Sequence, residues 1–596
     1  MAMALSSLQR SRSRHISRAC LEALEQRALF STFDVVNLAD SGEGSLRQAV
    51  LDANVRAGAD TIKFAEGLTG TIALSSGQLS IADDLTIDGP GAVRLAVSGN
   101  GQSRVFRISG GVTVAIDDLT ITDGRAVGDG GAILNTGSTL ALDRVVLSNN
   151  LAVGVDAPAG RGSGGAVANR EGATLVVSDS LLTQNQALGG NAGNGFGVGG
   201  AISNALTSNL TATRCLFLGN QARGGSGGRS GFGGGIDNGM GSTALVRQSM
   251  FVGNQVMGGD GGVVDGAQVF QLIGGGMGGA IRNGGSSTIT LENSILTGNQ
   301  AIGGNGGRAA STARDYDISF GYGGGLFNGD NGIVVVRGST FTHNQAIGGS
   351  DASALFGRGH VGDGSGGGLL NVHGAKTTVT DSTFDHNEAR GGTGNTGGSS
   401  AAGGSGAFIV GWGLGGAITN EGWYEGTATS VVASNLTLIH NRAVGGAGNS
   451  GNVLAGAGVG GGLISWWVGA TTMISDSTIA HNQAIGGPSG ADGLGGGLAN
   501  FFGSAVTASG CTLDQNLALG GNGADGGDGL GGGVYNGAAS SLRLERSMVT
   551  KNHANGGSDG EGIGGGVYNL GDFDFDVLTL IFKNHASTSH DDILDL

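Results

Sequence analysis

Between residues 315 and 363 lie six side chains of the kind that cleave sugar polymers: Asp315, Asp317, Asp351 and Asp363, with Arg358 and His360 among them. Paired carboxylates hydrolyse glycosidic bonds by general acid and base action. An acidic cluster holding calcium beside an arginine or lysine base would instead eliminate across a uronate. Three further groups offer binding rather than bond cleavage. His343, His386, His440 and His481 stand at one place in four successive repeats; stacked about 4.8 Å apart, they would form an imidazole array suited to a soft or borderline metal. All four tryptophans, Trp412, Trp423, Trp466 and Trp467, fall close together, with Tyr424 alongside; aromatic faces on a rigid support make a glycan-binding patch. Gly520–Asp525, with Asp528 nearby, resembles the opening of a calcium-binding nonapeptide, without the tandem copies that normally follow. No cofactor other than calcium is expected.

These residues are carried by a repeat. Twelve times between Gly130 and Asn569 the chain writes glycines, an aliphatic residue and, two positions on, an asparagine. The asparagines are Asn135, Asn169, Asn204, Asn238, Asn283, Asn328, Asn371, Asn420, Asn500, Asn536 and Asn569, with Ser465 in the ninth place. A second asparagine follows each, from Asn150 to Asn584, after 15 to 17 residues in every copy but the one where Asn420 to Asn441 spans 21. The return to the next copy is elastic, from 17 to 33 residues. A fixed segment alternating with an elastic one predicts a solenoid whose insertions leave from one edge.

The fixed segment alternates β-branched or aliphatic residues with polar ones and contains no proline, which predicts strands. Two aliphatic columns follow, one from Ile133 to Val567 two positions before the first asparagine, one from Leu147 to Ile581 three before the second. In parallel coils each column becomes a continuous apolar ladder inside the shaft. The asparagines then have a structural part: turning the chain in the left-handed conformation and bonding their own counterparts one coil away. Cys215 and Cys511 occupy a place filled by serine in other copies and read as small substitutes for it.

Composition excludes other classes. Glycine is 127 of 596 residues but proline only 3, without a three-residue period, so neither collagen nor proline-rich disorder fits. No apolar run is long enough for a membrane-spanning helix. A net charge of −16 with no basic patch after residue 31 disfavours nucleic acid.

Residues 1–31 differ, with five arginines against two glutamates and no apolar stretch of the signal-peptide kind. Residues 45–57 predict a helix capped by Ser45, with Gln48 completing a capping box and Leu46, Val50, Leu51 and Ala53 on one side. It would cover the open edge of the first coil.

Leu24, Glu25 and Arg27 resemble a short motif near the start of many surface proteins of one bacterial lineage. From Phe33 through Ser45, Leu46, Arg47, Gln48 and Ala49 to Phe64, the chain resembles the N-terminal module of large secreted bacterial β-helix proteins, although Gln48 stands where their motif has glutamate. The repeats resemble those of polymorphic outer-membrane proteins. This resemblance implies a surface-exposed, extracellular and mostly non-enzymatic protein.

The expected fold is all-β: a single right-handed parallel β-helix with a short N-terminal capping helix and long glycine-rich loops on one edge. Its parts are an export-type segment (1–31), cap and first coils (32–125), twelve repeats (126–585) and a tail (586–596). The handedness rests on that resemblance and on the chirality rule for parallel crossovers. The expected function is a non-catalytic extracellular scaffold, adhesive or glycan-binding through its mid-shaft loops, with cell-envelope or extracellular polysaccharide as partner. A polysaccharide lyase or glycoside hydrolase acting on an acidic polysaccharide is the alternative.

Overall fold

The two aliphatic columns determine the architecture. In the structure, a computed structural model, Ile133 pairs in register with Val167, Val167 with Ile202, and so on coil by coil to Val567. Every residue of this first column is completely buried. In the second column Phe217 lies flat on Phe251, ring centroids 4.4 Å apart, and Phe341 on Phe384 at 4.5 Å; only the last member, Ile581, is partly open. All the paired strands run parallel, in ladders of 16, 15, 15, 13 and 11 strands plus two of four strands. The chain is a parallel β-helix, described over residues 31–596 apart from 157–159, 192–194, 265–269, 310–314, 355–357, 399–407, 423–427 and 452–453. The basic N-terminal segment and almost all of the Leu24 motif lie outside the described residues.

A typical coil has five strands: Ile202–Ala205, Asn209–Thr213, Leu216–Leu218, Gln221–Arg223 and the two-residue Gly231–Phe232. The glycines are required where the last of these turns into the next coil. At Gly199 φ is +64°, and a Cβ would sit 2.2 Å from the Ile202 carbonyl oxygen.

Both asparagine columns form ladders. In the first, Asn135 Nδ2 donates to Asn169 Oδ1 (2.8 Å), Asn169 to Asn204 (2.8 Å), and the chain of amides continues to Asn420. It stops at Ser465 and resumes from Asn500 to Asn569. The second runs unbroken from Asn150 to Asn584. One expectation is corrected here, since the ladder asparagines are not themselves left-handed. The residue before each second asparagine is, as at Gln184 (φ 54°), His343 (55°) and Lys551 (53°). That frees the asparagine side chain to point inward.

The first coils, Asp60–Phe64, Leu85–Asp88 and Thr113–Asp117, belong to the same 16-stranded ladder as the repeats. The predicted cap is the helix Leu46–Asn54, whose first turn Ser45 caps by accepting from the Gln48 N–H (3.2 Å). The reciprocal half of the box is not made: the Ser45 N–H donates to the Gly42 carbonyl (3.2 Å), and the Gln48 amide donates to Asp52 (2.8 Å). Its buried face is Leu46, Ala49, Val50 and Ala53, with Leu51 53% exposed. The stretch expected as a tail is a coil end: Ile593–Asp595 pairs with Val567–Asn569. Asp595 accepts from Asn569 (2.7 Å) and Asp592 from Asn584 (3.0 Å), closing both ladders with carboxylates.

The long insertions have regular structure of their own. Four consecutive coils send out the strands Val263–Val264, Arg308–Ala309, Ser353–Ala354 and Thr396–Gly397 and return along Phe270–Ile273, Asp315–Ile318, Arg358–Val361 and Phe408–Val410. Between these two small ladders lies a separate core that includes Val264, Ile273, Tyr316, Ile318, Ala354, Val361 and Val410. The result is a lateral lobe on the middle of the shaft.

Candidate active site at the base of the lobe

Where the lobe rejoins the shaft, the returning ladder sets Asp317 beside His360 in register. The two-residue ladder beneath places Tyr322 beside Ser365, with Asp363 two residues before Ser365. On the neighbouring wall Glu421, just after the ladder residue Asn420, pairs with Trp466. Side chains from three ladders and three successive coils thus gather in one polar cluster, with Trp466 from a fourth coil beside them. The Tyr322 hydroxyl lies 3.3 Å from Asp317 Oδ2 and 3.2 Å from His360 Nδ1. His360 Nδ1 is 3.6 Å from Asp317 and 3.8 Å from Asp363. Asp363 Oδ1 accepts from the Trp412 backbone N–H (2.9 Å).

The cluster is enclosed: Asp317 is 4% exposed, His360, Tyr322 and Glu421 3%, Asp363 not at all. Burial pushes the Asp363 carboxyl well above the usual carboxylate range, against the N–H it accepts from Trp412, and the charge of Asp317 adds to the shift. Burial, then the charges of Asp317 and Asp363, push Glu421 up as well. Burial also raises the Tyr322 phenol, with the same three carboxylates adding, and lowers His360. Burial thus favours the protonated form of Asp363 and Glu421 and the neutral form of the His360 imidazole.

Several atoms here bond to nothing: His360 Nε2, Asp363 Oδ2, Glu421 Oε2, Ser365 Oγ and the indole nitrogens of Trp412 and Trp466. Unpaired buried polar groups cost about 1–3 kcal/mol each. Elsewhere two buried acids are matched by arginines. Asp237 meets Arg282 at 3.0 Å, with the guanidinium also over the Phe232 ring (4.5 Å), and Glu388 meets Arg390 at 2.8 Å and Arg442 at 3.2 Å. Unmatched carboxyls with perturbed proton affinity mark a candidate catalytic centre.

Of the six carboxylate-region residues singled out in the sequence, Asp317, His360 and Asp363 come together. Asp351 stands apart on the surface; the side chains of Asp315 and Arg358 lie outside the described residues. Tyr322 and Glu421 were missed. Glu421 is the one acid among the residues that directly follow the first asparagines, a signal visible only once the copies are aligned.

The tryptophans are placed otherwise than a binding patch requires. Trp412 and Trp466 are completely buried, their ring centroids 6.4 Å apart, and His360 stacks on Trp466 at 5.2 Å. Trp467 is partly buried and stacks on Phe502 at 4.8 Å. Trp423 and Tyr424 lie outside the described residues. The rings of Trp412 and Trp466 wall the polar cluster and fill a second hydrophobic core, so they present no face to a ligand at the surface.

The four histidines do stack on the exterior. Centroid separations are 5.1 Å for His343–His386, 4.7 Å for His386–His440 and 5.2 Å for His440–His481. Asp385 Oδ1 lies 2.6 Å from His386 Nδ1 and 3.1 Å from His440 Nδ1. At the calcium-like stretch, Asp528 Oδ1 accepts the Glu561 N–H (2.7 Å), a coil-to-coil bond. Among the described residues no third acidic or histidine side chain joins Asp525 and Asp528.

No family model and no curated protein matches this chain. Solved structures do. The chain is similar to the Agl-KA catalytic domain at 10% identity and TM-score 0.32, over 83% of this chain and 64% of that one. It is similar to the catalytic unit of a GH87 α-1,3-glucanase from Streptomyces thermodiastaticus at 11% identity and TM-score 0.28, over 94% and 70%. A mannuronic acid-specific family 6 polysaccharide lyase from human gut microbiota matches at 10% identity and TM-score 0.24, over 63% and 88%. The chain thus spans just under two thirds of the Agl-KA domain.

Proposed function

We propose that the protein is an extracellular polysaccharide-cleaving β-helix whose reaction is glycosidic hydrolysis at the base of the lobe. The reading rests on one observation: Asp317 and Asp363 converge on His360, with Asp317 also on the Tyr322 hydroxyl and Glu421 close enough to feel both charges, and no arginine or lysine side chain joins them among the described residues. Hydrolysis needs one protonated and one ionised carboxyl. Asp363, protonated and fixed through Oδ1, gives its proton to the glycosidic oxygen as the C1–O bond breaks. Asp317, oriented by the Tyr322 hydroxyl, takes a proton from the attacking water. Elimination across a uronate is disfavoured, because the described cluster lacks a cation to neutralise the substrate carboxylate. The enclosed cluster has to open for a polymer to enter.

The test is release of reducing ends from a panel of neutral and acidic polysaccharides. Asp363→Asn should lower turnover by about 10²–10⁴-fold. Unsaturated products would assign a lyase instead, and no cleavage by the unmodified protein would overturn the reading. A second reading, the non-catalytic extracellular scaffold, is favoured by the enclosure itself. Under it no polysaccharide is cleaved, and loss of the carboxyl charges changes stability alone.

A further inference from the structure

The exterior histidine column contains a coincidence that the backbone does not explain. The residue before each second asparagine must be left-handed, and histidine tolerates that conformation; His343, His386, His440 and His481 all adopt it, with φ between 54° and 56°. Glycine, glutamine and lysine serve equally well in other coils, as at Gly298, Gln515 and Lys551. The backbone therefore accounts for each histidine singly but not for Asp385. Its carboxylate oxygen converges on the Nδ1 atoms of two histidines from successive coils.

We infer that Asp385, His386 and His440 form a surface site for a borderline divalent transition metal, of which zinc is the type. One carboxylate oxygen and one nitrogen from each imidazole lie within 4.8 Å of one another. The two O···N spans, 2.6 and 3.1 Å, are hydrogen-bond distances, shorter than the edges of about 3.3–3.6 Å of a tetrahedron with legs of about 2.0–2.2 Å. An ion entering between these atoms replaces the protons that bridge them, and the exposed side chains part by roughly 1 Å or less to admit it. Water completes the coordination, or a flanking imidazole does, since His343 and His481 stack on either side. Mixed imidazole and carboxylate donors suit zinc, copper(II) or nickel(II) better than calcium or magnesium. Competition from cations nearby is limited, because Arg390 and Arg442 are held by Glu388. The site is half exposed, with side-chain exposures of 50% for His386 and 45% for His440, so an ion can reach it directly.

The experiment is titration of the whole metal-free protein with zinc at neutral pH by calorimetry, with the visible absorption of added cobalt(II) as a second readout. His386→Gln/His440→Gln is the informative variant, because glutamine already occupies this left-handed position at Gln184 and Gln515 and the fold should be kept. The expected result is about one zinc per chain, with affinity reduced at least tenfold in the double variant and in Asp385→Asn. No uptake by the unmodified protein, or uptake unchanged in the double variant, would overturn the inference.

Discussion

Asn420 and Ser465 face each other in register across the one gap in the first asparagine ladder. Deprived of its usual acceptor, the Asn420 amide donates to Thr472 Oγ1 (3.0 Å) and the Thr471 carbonyl (2.9 Å), while Ser465 Oγ has no partner. Asn500 stands directly beyond Ser465. Ser465→Asn should close the ladder and stabilise the protein by about 1 kcal/mol, read as a higher urea midpoint. The reverse change inside the unbroken ladder, Asn344→Ala, strips partners from Asn299, Asn387 and the Leu296 carbonyl and should cost about 1–3 kcal/mol or more.

Protonation at the base of the lobe sets a pH dependence. Asp363 and Glu421 are held above their ordinary values of 3.8 and 4.5, so the folded protein keeps protons that the unfolded chain has released. Their contribution is fully present below about pH 4 and is lost as pH rises through the folded values. Asp363→Asn and Glu421→Gln should therefore raise the melting temperature at neutral pH, a gain that vanishes near pH 4. Thermal melts across that range decide it; a gain constant with pH would contradict it.

Trp412 is a packing residue. Trp412→Ala opens a cavity against Trp466 and Phe501 and should cost about 3–5 kcal/mol. Calorimetric unfolding would show it, with a lower melting temperature whether or not any sugar is present.

The carboxylates that end the two ladders should also protect the last coil. Asp592→Ala removes the acceptor of both the Asn584 backbone N–H (3.1 Å) and its amide (3.0 Å) and should cost about 1–3 kcal/mol. Truncation after Ala586 would bare the strand Val567–Asn569. Open parallel edges recruit other chains, so light scattering should report association of the truncated protein.

The shaft was legible because its period is rigid. Ile133 and Leu147 predict the burial of their counterparts hundreds of residues away, since every coil repeats the same spacing. The polar cluster was only half legible for the opposite reason. Asp317, Asp363 and Glu421 sit at the ends of segments of unequal length, and their meeting depends on how those segments return to the shaft. The burial of Trp412 and Trp466 is not legible, because a loop seen singly has no inside. Once four insertions stack, they acquire an inside, and Trp412 belongs to it. Gln48 shows a smaller failure of the same kind: the capping pattern was present, but the Ser45 N–H donates to the Gly42 carbonyl (3.2 Å) and the Gln48 amide turns to Asp52.

The lobe has a consequence for how such a chain can change. Because the outgoing strands from Val263–Val264 to Thr396–Gly397 are hydrogen-bonded one to the next, the paired part of each insertion is tied to that of its neighbours. The elastic segments of these four coils, at 29, 29, 27 and 33 residues, are of nearly matched size, and the next falls to 24. Length here is a property shared between adjacent coils, and a new lobe has to be acquired several coils at a time.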